Sequence, residues 1–101
     1  MVNQTILIGK LIGEPVTTTE EDKKITYITI AVKRRFTNEN DIFEEDIIPI
    51  QLWNNLAEET FNNCHNGDLI GIKGRLQTID DRITIIAEKV TFLSNKKEEN
   101  K

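Results

Sequence analysis

One segment of this chain, and only one, repeats its apolar residues at helical spacing. Between Asn54 and Cys64 the residues Leu56, Ala57, Thr60, Phe61 and Cys64 recur at intervals of three and four, which gathers them on one face of a helix. Nearly everything else with a pattern alternates with period two. A chain of 101 residues has room for one domain. With a single short helix it cannot bury its apolar side chains helix on helix, so the core must be built by strands and the helix must be an accessory.

The strands can be placed in order. Thr5-Ile6-Leu7-Ile8 opens the first, and Gly9 and Gly13 interrupt it where a strand bends or bulges. Glu14 to Lys23 carries Pro15, a threonine triplet and an acidic pair, which is loop chemistry. Ile25 to Val32 sets Ile28, Ile30 and Val32 on one side, and Tyr27, Thr29, Ala31 and Lys33 on the other. Phe36 to Glu45 is polar and turn-rich, the tip of a long hairpin. From Asp46 to Trp53, Ile48, Ile50 and Leu52 share one face while Ile47, Pro49, Gln51 and Trp53 share the other. Pro49 has no N–H to give to a ladder and marks an edge or a bulge.

The helix follows, with Asn54 or Asn55 as the expected N-cap, Glu58 and Glu59 in the first turns, and Asn66-Gly67 as the stop. Two further strands span Leu69 to Thr78 and Arg82 to Leu93, joined by a tight turn at Asp80-Asp81. The domain is thus expected over residues 1–93. Residues 94–101 form a charged tail without apolar side chains, expected to be disordered. No internal repeat is present.

Three strands, a helix and two strands is the order of an OB-fold, a mainly β architecture in which a five-stranded Greek-key barrel holds one helix between strands 3 and 4. The glycines at 9, 13, 71 and 74 fit the sharp curvature of a small barrel.

Composition narrows the function. Thirteen Lys and Arg against 17 Asp and Glu give a net charge of -4, which excludes a generally basic protein but not a basic stripe on an acidic body. The single cysteine, Cys64, excludes an internal disulfide framework and a cysteine zinc cluster. His65 is adjacent to it in sequence rather than set across a fold, so a Cys–His nucleophile pair is not expected. No phosphate loop, His-Glu metal motif or nucleophile elbow occurs. The sequence therefore offers no catalytic residue, metal site or cofactor, and an enzyme is not expected. The start of the chain has neither the basic head nor the apolar core of a signal peptide, and no run approaches the ~20 residues of a bilayer span, so a cytoplasmic protein without a membrane partner is expected.

The strand faces carry the functional signal. If the isoleucines at 28, 30, 48, 50, 70 and 72, and with them Leu76, point inward, then Lys33, Arg35, Trp53, Lys73 and Arg75 fall on the barrel exterior, with Arg34 and Phe36 at the adjoining strand end. Cations interleaved with aromatics are what a sequence-tolerant single-strand groove needs, since the cations neutralise phosphates and flat rings stack on any base. The pattern alone leaves a second reading open, an ordinary solvated face with Trp53 covering a dimer contact.

These residues also carry a resemblance. Val2-Asn3-Gln4-Thr5-Ile6-Leu7-Ile8-Gly9-Lys10-Leu11, Ile28-Thr29-Ile30-Ala31-Val32 running on to Phe36, Leu52-Trp53 with Leu56-Ala57-Glu58, and above all the run from Gly67 through Thr78 resemble the bacterial single-stranded DNA-binding protein (SSB) family. The resemblance covers about the first ninety residues. It implies a homotetramer of OB-folds, with a dimer as the alternative, that binds single-stranded DNA without base readout in replication, recombination or repair, alongside proteins of those processes. It implies Phe36 and Trp53 as stacking aromatics and Lys10, Lys73 and Arg75 as basic contacts, to which the strand-face pattern adds Lys33, Arg34 and Arg35 as candidate DNA contacts. It also places the opening strand, with Ile6 and Ile8, at a dimer interface.

The chain departs from the family pattern in several places. Ile47 stands where an aromatic is usual, the hairpin between the last two strands, long, basic and aromatic-tipped in the family, shrinks to Ile79-Asp80-Asp81-Arg82, Asn55 and Asn66 stand where lysine is frequent, and the acidic-hydrophobic tip of the family's tail has no counterpart. At roughly 1–3 kcal/mol per stacked base, two missing platforms imply weaker and more salt-sensitive binding. Two alternatives follow from these departures. One is a replication-restart accessory similar to primosomal replication protein N; the other is an OB-fold protein-interaction module with weak DNA affinity.

Overall fold

The computed structural model describes residues 1–93; the disorder expected for 94–101 lies outside the described residues. Six strands and one helix follow in the order β1 (Thr5–Leu11), β2 (Val16–Glu20), β3 (Lys23–Thr37), β4 (Phe43–Trp53), α1 (Asn54–Asn63), β5 (Leu69–Ile79) and β6 (Arg82–Phe92). The sheet runs β1-β5-β6-β4-β3-β2, and an added β1–β3 pairing closes β1, β5, β6, β4 and β3 into a five-stranded barrel. Among these five, α1 lies between the third and the fourth, as an OB-fold requires.

The sixth strand is a correction to the sequence reading. The segment expected as a loop contains β2, which pairs antiparallel with β3 from Val16 opposite Tyr27 to Glu20 opposite Lys23. Its threonines are β-branched and favour a pleated backbone. Glu21 and Asp22 both have positive φ (50° and 67°), the geometry of a two-residue type I′ turn, whose twist matches the strands it joins. Asp80 and Asp81 repeat that turn between β5 and β6, with φ of 51° and 67°. Thr26, fully buried, donates to the Ala57 carbonyl at 3.2 Å. With its one proton so used, it accepts from Thr17 at 2.7 Å, which ties β2 to β3 and β3 to the helix.

The helix ends also differ from expectation. The N-cap position is Trp53, with no side-chain cap, and no acidic residue lies in the first turn. Asn54 instead takes the left-handed conformation (φ 56°) that turns the chain out of β4, which asparagine tolerates better than most residues. At the other end Cys64 is extended rather than followed by a left-handed glycine cap, and Gly67 (φ 90°) serves the later turn into β5.

The core gathers Leu11, Ile28, Ile30, Ile50, Leu52, Ile70 and Ile72 from the strands with Ala57 and Cys64 from the helix end of the barrel. Each aliphatic side chain so buried contributes roughly 1.5–3 kcal/mol. The alternation holds for most positions; Leu76, expected inside, is exposed because β5 has by then left the barrel for its hairpin, and Ala31, expected outside, is buried where β1 crosses β3 at Lys10. Burial, with Asp68 and Glu14 adding to it, pushes the Cys64 thiol up to about 11, so it stays protonated and inert at neutral pH.

Two glycines permit closure. A Cβ on Gly9 would lie 2.5 Å from the Ala31 carbonyl oxygen, and one on Gly74 would lie 2.2 Å from that of Ile86, at the β-bulge between Lys73 and Gly74. Gly71 is different, since its nearest neighbour would be 3.7 Å away. Gly74→Ala is expected to cost ~1–3 kcal/mol, read as a lower urea midpoint at unchanged slope, while Gly71→Ala stays near wild type. Equal effects would remove the close approach as the reason for Gly74.

Candidate nucleic-acid interface

The outer face of the barrel can be built rung by rung from the strand registers. Paired residues share a face, so Ile25 beside Trp53, Tyr27 beside Gln51, Thr29 beside Pro49 and Lys33 beside Glu45 stand together on the outside of β3 and β4. Gln51 then pairs with Ile86 across the parallel β4–β6 ladder, and Ile86 with Arg75 across β6 and β5. That row runs from Tyr27 to Arg75, with Ile86 between them buried at 2% exposure. Further along, Lys73 faces Lys89 on one side and Ile6 on the other.

The eight residues singled out from the sequence separate into three groups. Trp53 and Arg75 meet directly: the guanidinium lies 5.7 Å from the indole centroid, within cation–π range. The indole N–H donates to Gln51 Oε1 at 3.0 Å, which fixes the ring. Arg75 donates to Gln77 Oε1 at 3.2 and 2.9 Å and pairs with Glu88 at 3.1 Å, so its charge is already compensated.

The second group stands where β3 and β4 run past the barrel into their hairpin. Phe36 is 78% exposed, with the Arg35 guanidinium 5.9 Å from its ring. Lys33 lies 5.6 Å from the Phe43 ring. Arg34 points to the opposite face, where Asp46 accepts from its Nε and terminal nitrogen at 2.8–3.2 Å and Glu44 accepts at 2.8 Å. The Arg34 guanidinium holds the Asp46 carboxyl below its ordinary range, and the two carboxylates in turn raise Arg34. The loop beyond is shaped by Asn38, whose Oδ1 accepts from the backbone N–H of Asn40 and Ile42 at 2.8 and 3.1 Å.

The third group, Lys10 and Lys73, lies on the outer side of β1 and β5, among the exposed Ile6 (67%) and Ile8 (56%). Between the first two groups and the β5–β6 hairpin runs an open groove of about 860 Å³, lined by Tyr27, Ile47, Pro49, Leu76, Arg82 and Ile83 among others. It exists because β4 and β6 pair only at Ile50–Ile85 and Gln51–Ile86 and then diverge. Pro49, just outside that ladder, needs no partner for an N–H it lacks. None of the eight residues lines the groove.

Sequence reasoning missed Lys23, whose ammonium lies 5.9 Å from the Trp53 centroid, and Phe43 beneath Lys33. Both lie in segments read as loop. The signal for Lys23 was present, because the period-two pattern of β3 extended by two residues puts it on the face of Ile25, the partner of Trp53. Among the described residues no cluster of three or more His, Cys, Asp or Glu could hold a metal ion, and no helix is long and apolar enough to cross a membrane.

Comparison with known proteins bears on the family and the fold. The description "Single-strand binding protein family" matches residues 2–93. A single-stranded DNA-binding protein of Lactiplantibacillus plantarum is 43% identical over 79 residues, 77% of this chain and 40% of its own length. Single-stranded DNA-binding protein B of Bacillus subtilis is 32% identical over 98% of this chain and 96% of its own length. The chain thus spans less than half of the first relative and nearly all of the second. Among solved structures, the second single-stranded DNA-binding protein of Mycobacterium smegmatis superposes with a TM-score of 0.74 at 20% identity, covering 92% of this chain and 90% of its own, which supports the OB-fold.

The Arg34 clamp sets a pH dependence. Because Asp46 titrates lower in the folded state than its ordinary 3.8, the pair's contribution is present above that value and is lost as pH falls through the depressed one. Carboxyl NMR is expected to give an Asp46 midpoint below 3.8, returning upward in Arg34→Gln. An unshifted midpoint in the wild type would mean that the clamp is open in solution.

Proposed function

Because the chain belongs to the single-strand binding protein family, a family of binding proteins rather than enzymes, we propose that it binds single-stranded DNA without reading sequence. The observation that carries this reading is the Trp53 ring, half-exposed on the outer face and attended by two cations at 5.9 and 5.7 Å. A base stacks on the ring whatever its identity, and the positive surroundings suit the phosphates that flank it. From there the strand follows the groove toward the hairpin end, where Phe36 gives a second stacking surface and Lys33 and Arg35 give phosphate contacts, while Arg34 is held on the opposite face by Asp46 and Glu44. Arg75, Lys73 and Lys10 extend the basic path along β5 and β1.

The binding is weaker than an aromatic-rich groove would give. Ile47, 58% exposed, cannot stack as a ring does, and the groove presents aliphatic side chains with Tyr27 as its aromatic. Three cations are tied to carboxylates, Lys24 to Glu58, Arg34 to Glu44 and Asp46, and Arg75 to Glu88. The processes this reading serves are those that expose single strands, namely replication, recombination and repair, in the cytoplasm of a bacterial cell.

The same reading extends to assembly. Thr5–Ile8 pair with β5 on one side and meet no strand on the other among the described residues, and Ile6 and Ile8 stand exposed beside that open edge. A second copy adding there would extend the sheet and cover both isoleucines, the usual way an edge strand is protected. Light scattering is expected to give a multiple of the 11.6 kDa chain mass, and Ile8→Lys is expected to shift it toward one chain. A wild-type monomer at micromolar concentration would refute the assembly.

The binding test uses the only tryptophan. Titration with oligo-dT is expected to quench Trp53 emission, with log K falling against log salt at a slope of about -3 for about four phosphates at ~0.7 each. Trp53→Ala is expected to weaken binding by ~1–3 kcal/mol with the barrel still folded. No quenching at low salt by a folded protein would favour the protein-docking alternatives, to which the aliphatic groove and its acidic Asp80-Asp81 rim would then be assigned.

A further inference from the structure

We propose that Lys23 is a phosphate contact held ready by the Trp53 indole, and that it is the cation that moves from ring to DNA when a base stacks; this rests on the single-strand reading above. Lys23 and Arg75 reach the indole from strands on opposite sides of β4, at 5.9 and 5.7 Å from its centroid. Their situations differ. Arg75 is fastened by Gln77 and by Glu88. Lys23 has no ion pair among the described residues, and the carboxylate across its turn, Glu20, accepts from the Tyr27 hydroxyl at 3.4 Å instead.

A base arriving on the ring competes with whatever covers it. The cation that yields is the one with no carboxylate to hold it and a flexible four-carbon stem, and that stem lets its ammonium follow the phosphate next to the stacked base. Before binding, the ring keeps the ammonium over the site rather than free in solvent, so little side-chain freedom is lost when the phosphate arrives.

The neighbouring lysine supplies a matched control. Lys24 alternates to the other face of β3, where it donates to Glu58 of α1 at 2.8 Å. Lys23→Gln and Lys24→Gln remove the same charge from adjacent, exposed positions. Both full-length variants and the wild type would be titrated with oligo-dT over a salt series by Trp53 emission. Lys23→Gln is expected to weaken binding several-fold at low salt and to reduce the magnitude of the salt slope by ~0.7, one phosphate's worth, with full quenching still reached at saturation. Lys24→Gln is expected to keep the wild-type slope.

Equal slopes in the two variants would overturn the proposal, and so would tighter binding by Lys23→Gln, which would make Lys23 only a cover over the ring. A wild type that does not bind at low salt overturns the single-strand reading itself, an outcome distinct from wild-type binding with indifferent variants.

Discussion

Two rungs of parallel pairing, Ile50 with Ile85 and Gln51 with Ile86, join β4 to β6 in the barrel wall, and most of what matters in the molecule depends on their number. Because they exist, β4 stands next to β6 and, through it, next to β5; Trp53 and Arg75, remote in sequence, come within reach of one another. Because there are only two, β4 and the β5–β6 hairpin separate above them and leave the groove. More pairing would seal the groove, and less would open the barrel and expose Ile50, Ile70 and Ile72. The closure in turn requires main chain to pass close to main chain at Gly9 and Gly74, where no side chain fits.

For an acidic protein to bind the polyanion proposed above, its charges must be arranged rather than summed. Part of the excess of 17 acids over 13 bases is engaged with particular cations: Glu58 with Lys24, Glu44 and Asp46 with Arg34, Glu88 with Arg75. Lys23, Lys33 and Arg35 are placed over aromatic rings instead. A ring holds a cation without neutralising it, so these charges stay available to a phosphate while their positions are restricted.

Much of the fold was legible because its determinants are local. The helical period of Leu56, Ala57, Thr60 and Cys64, the alternation of Ile28 with Ile30 and of Ile50 with Leu52, and the Asp80-Asp81 turn are each decided within a few residues. The strand β2 was missed for the same kind of reason in reverse: its threonines favour a strand, but all five of its residues are exposed, so no apolar alternation marks it. Asn54 and Asn55 both have the chemistry of a cap, while the sharp exit from β4 places Asn54 in the left-handed conformation instead. Of the candidate site, residue types were legible and groupings were not. That Arg75 serves Trp53 while Lys73 lies beside Ile6 is set by register between distant strands, and so is the capture of Arg34 by Asp46.

The two-residue Asp80-Asp81 turn has a kinetic meaning. A type I′ turn has no slack, and β5 and β6 are paired to its very edge, Ile79 opposite Arg82. The hairpin is therefore a stiff wall on one side of the groove rather than a flap able to fold over its contents. On the reading proposed above, a polymer lying there would peel away one nucleotide at a time without waiting for any part of the protein to open. If the strand proposed above lies there, an enzyme following it would displace it from its leading edge, with no closed element to wait for.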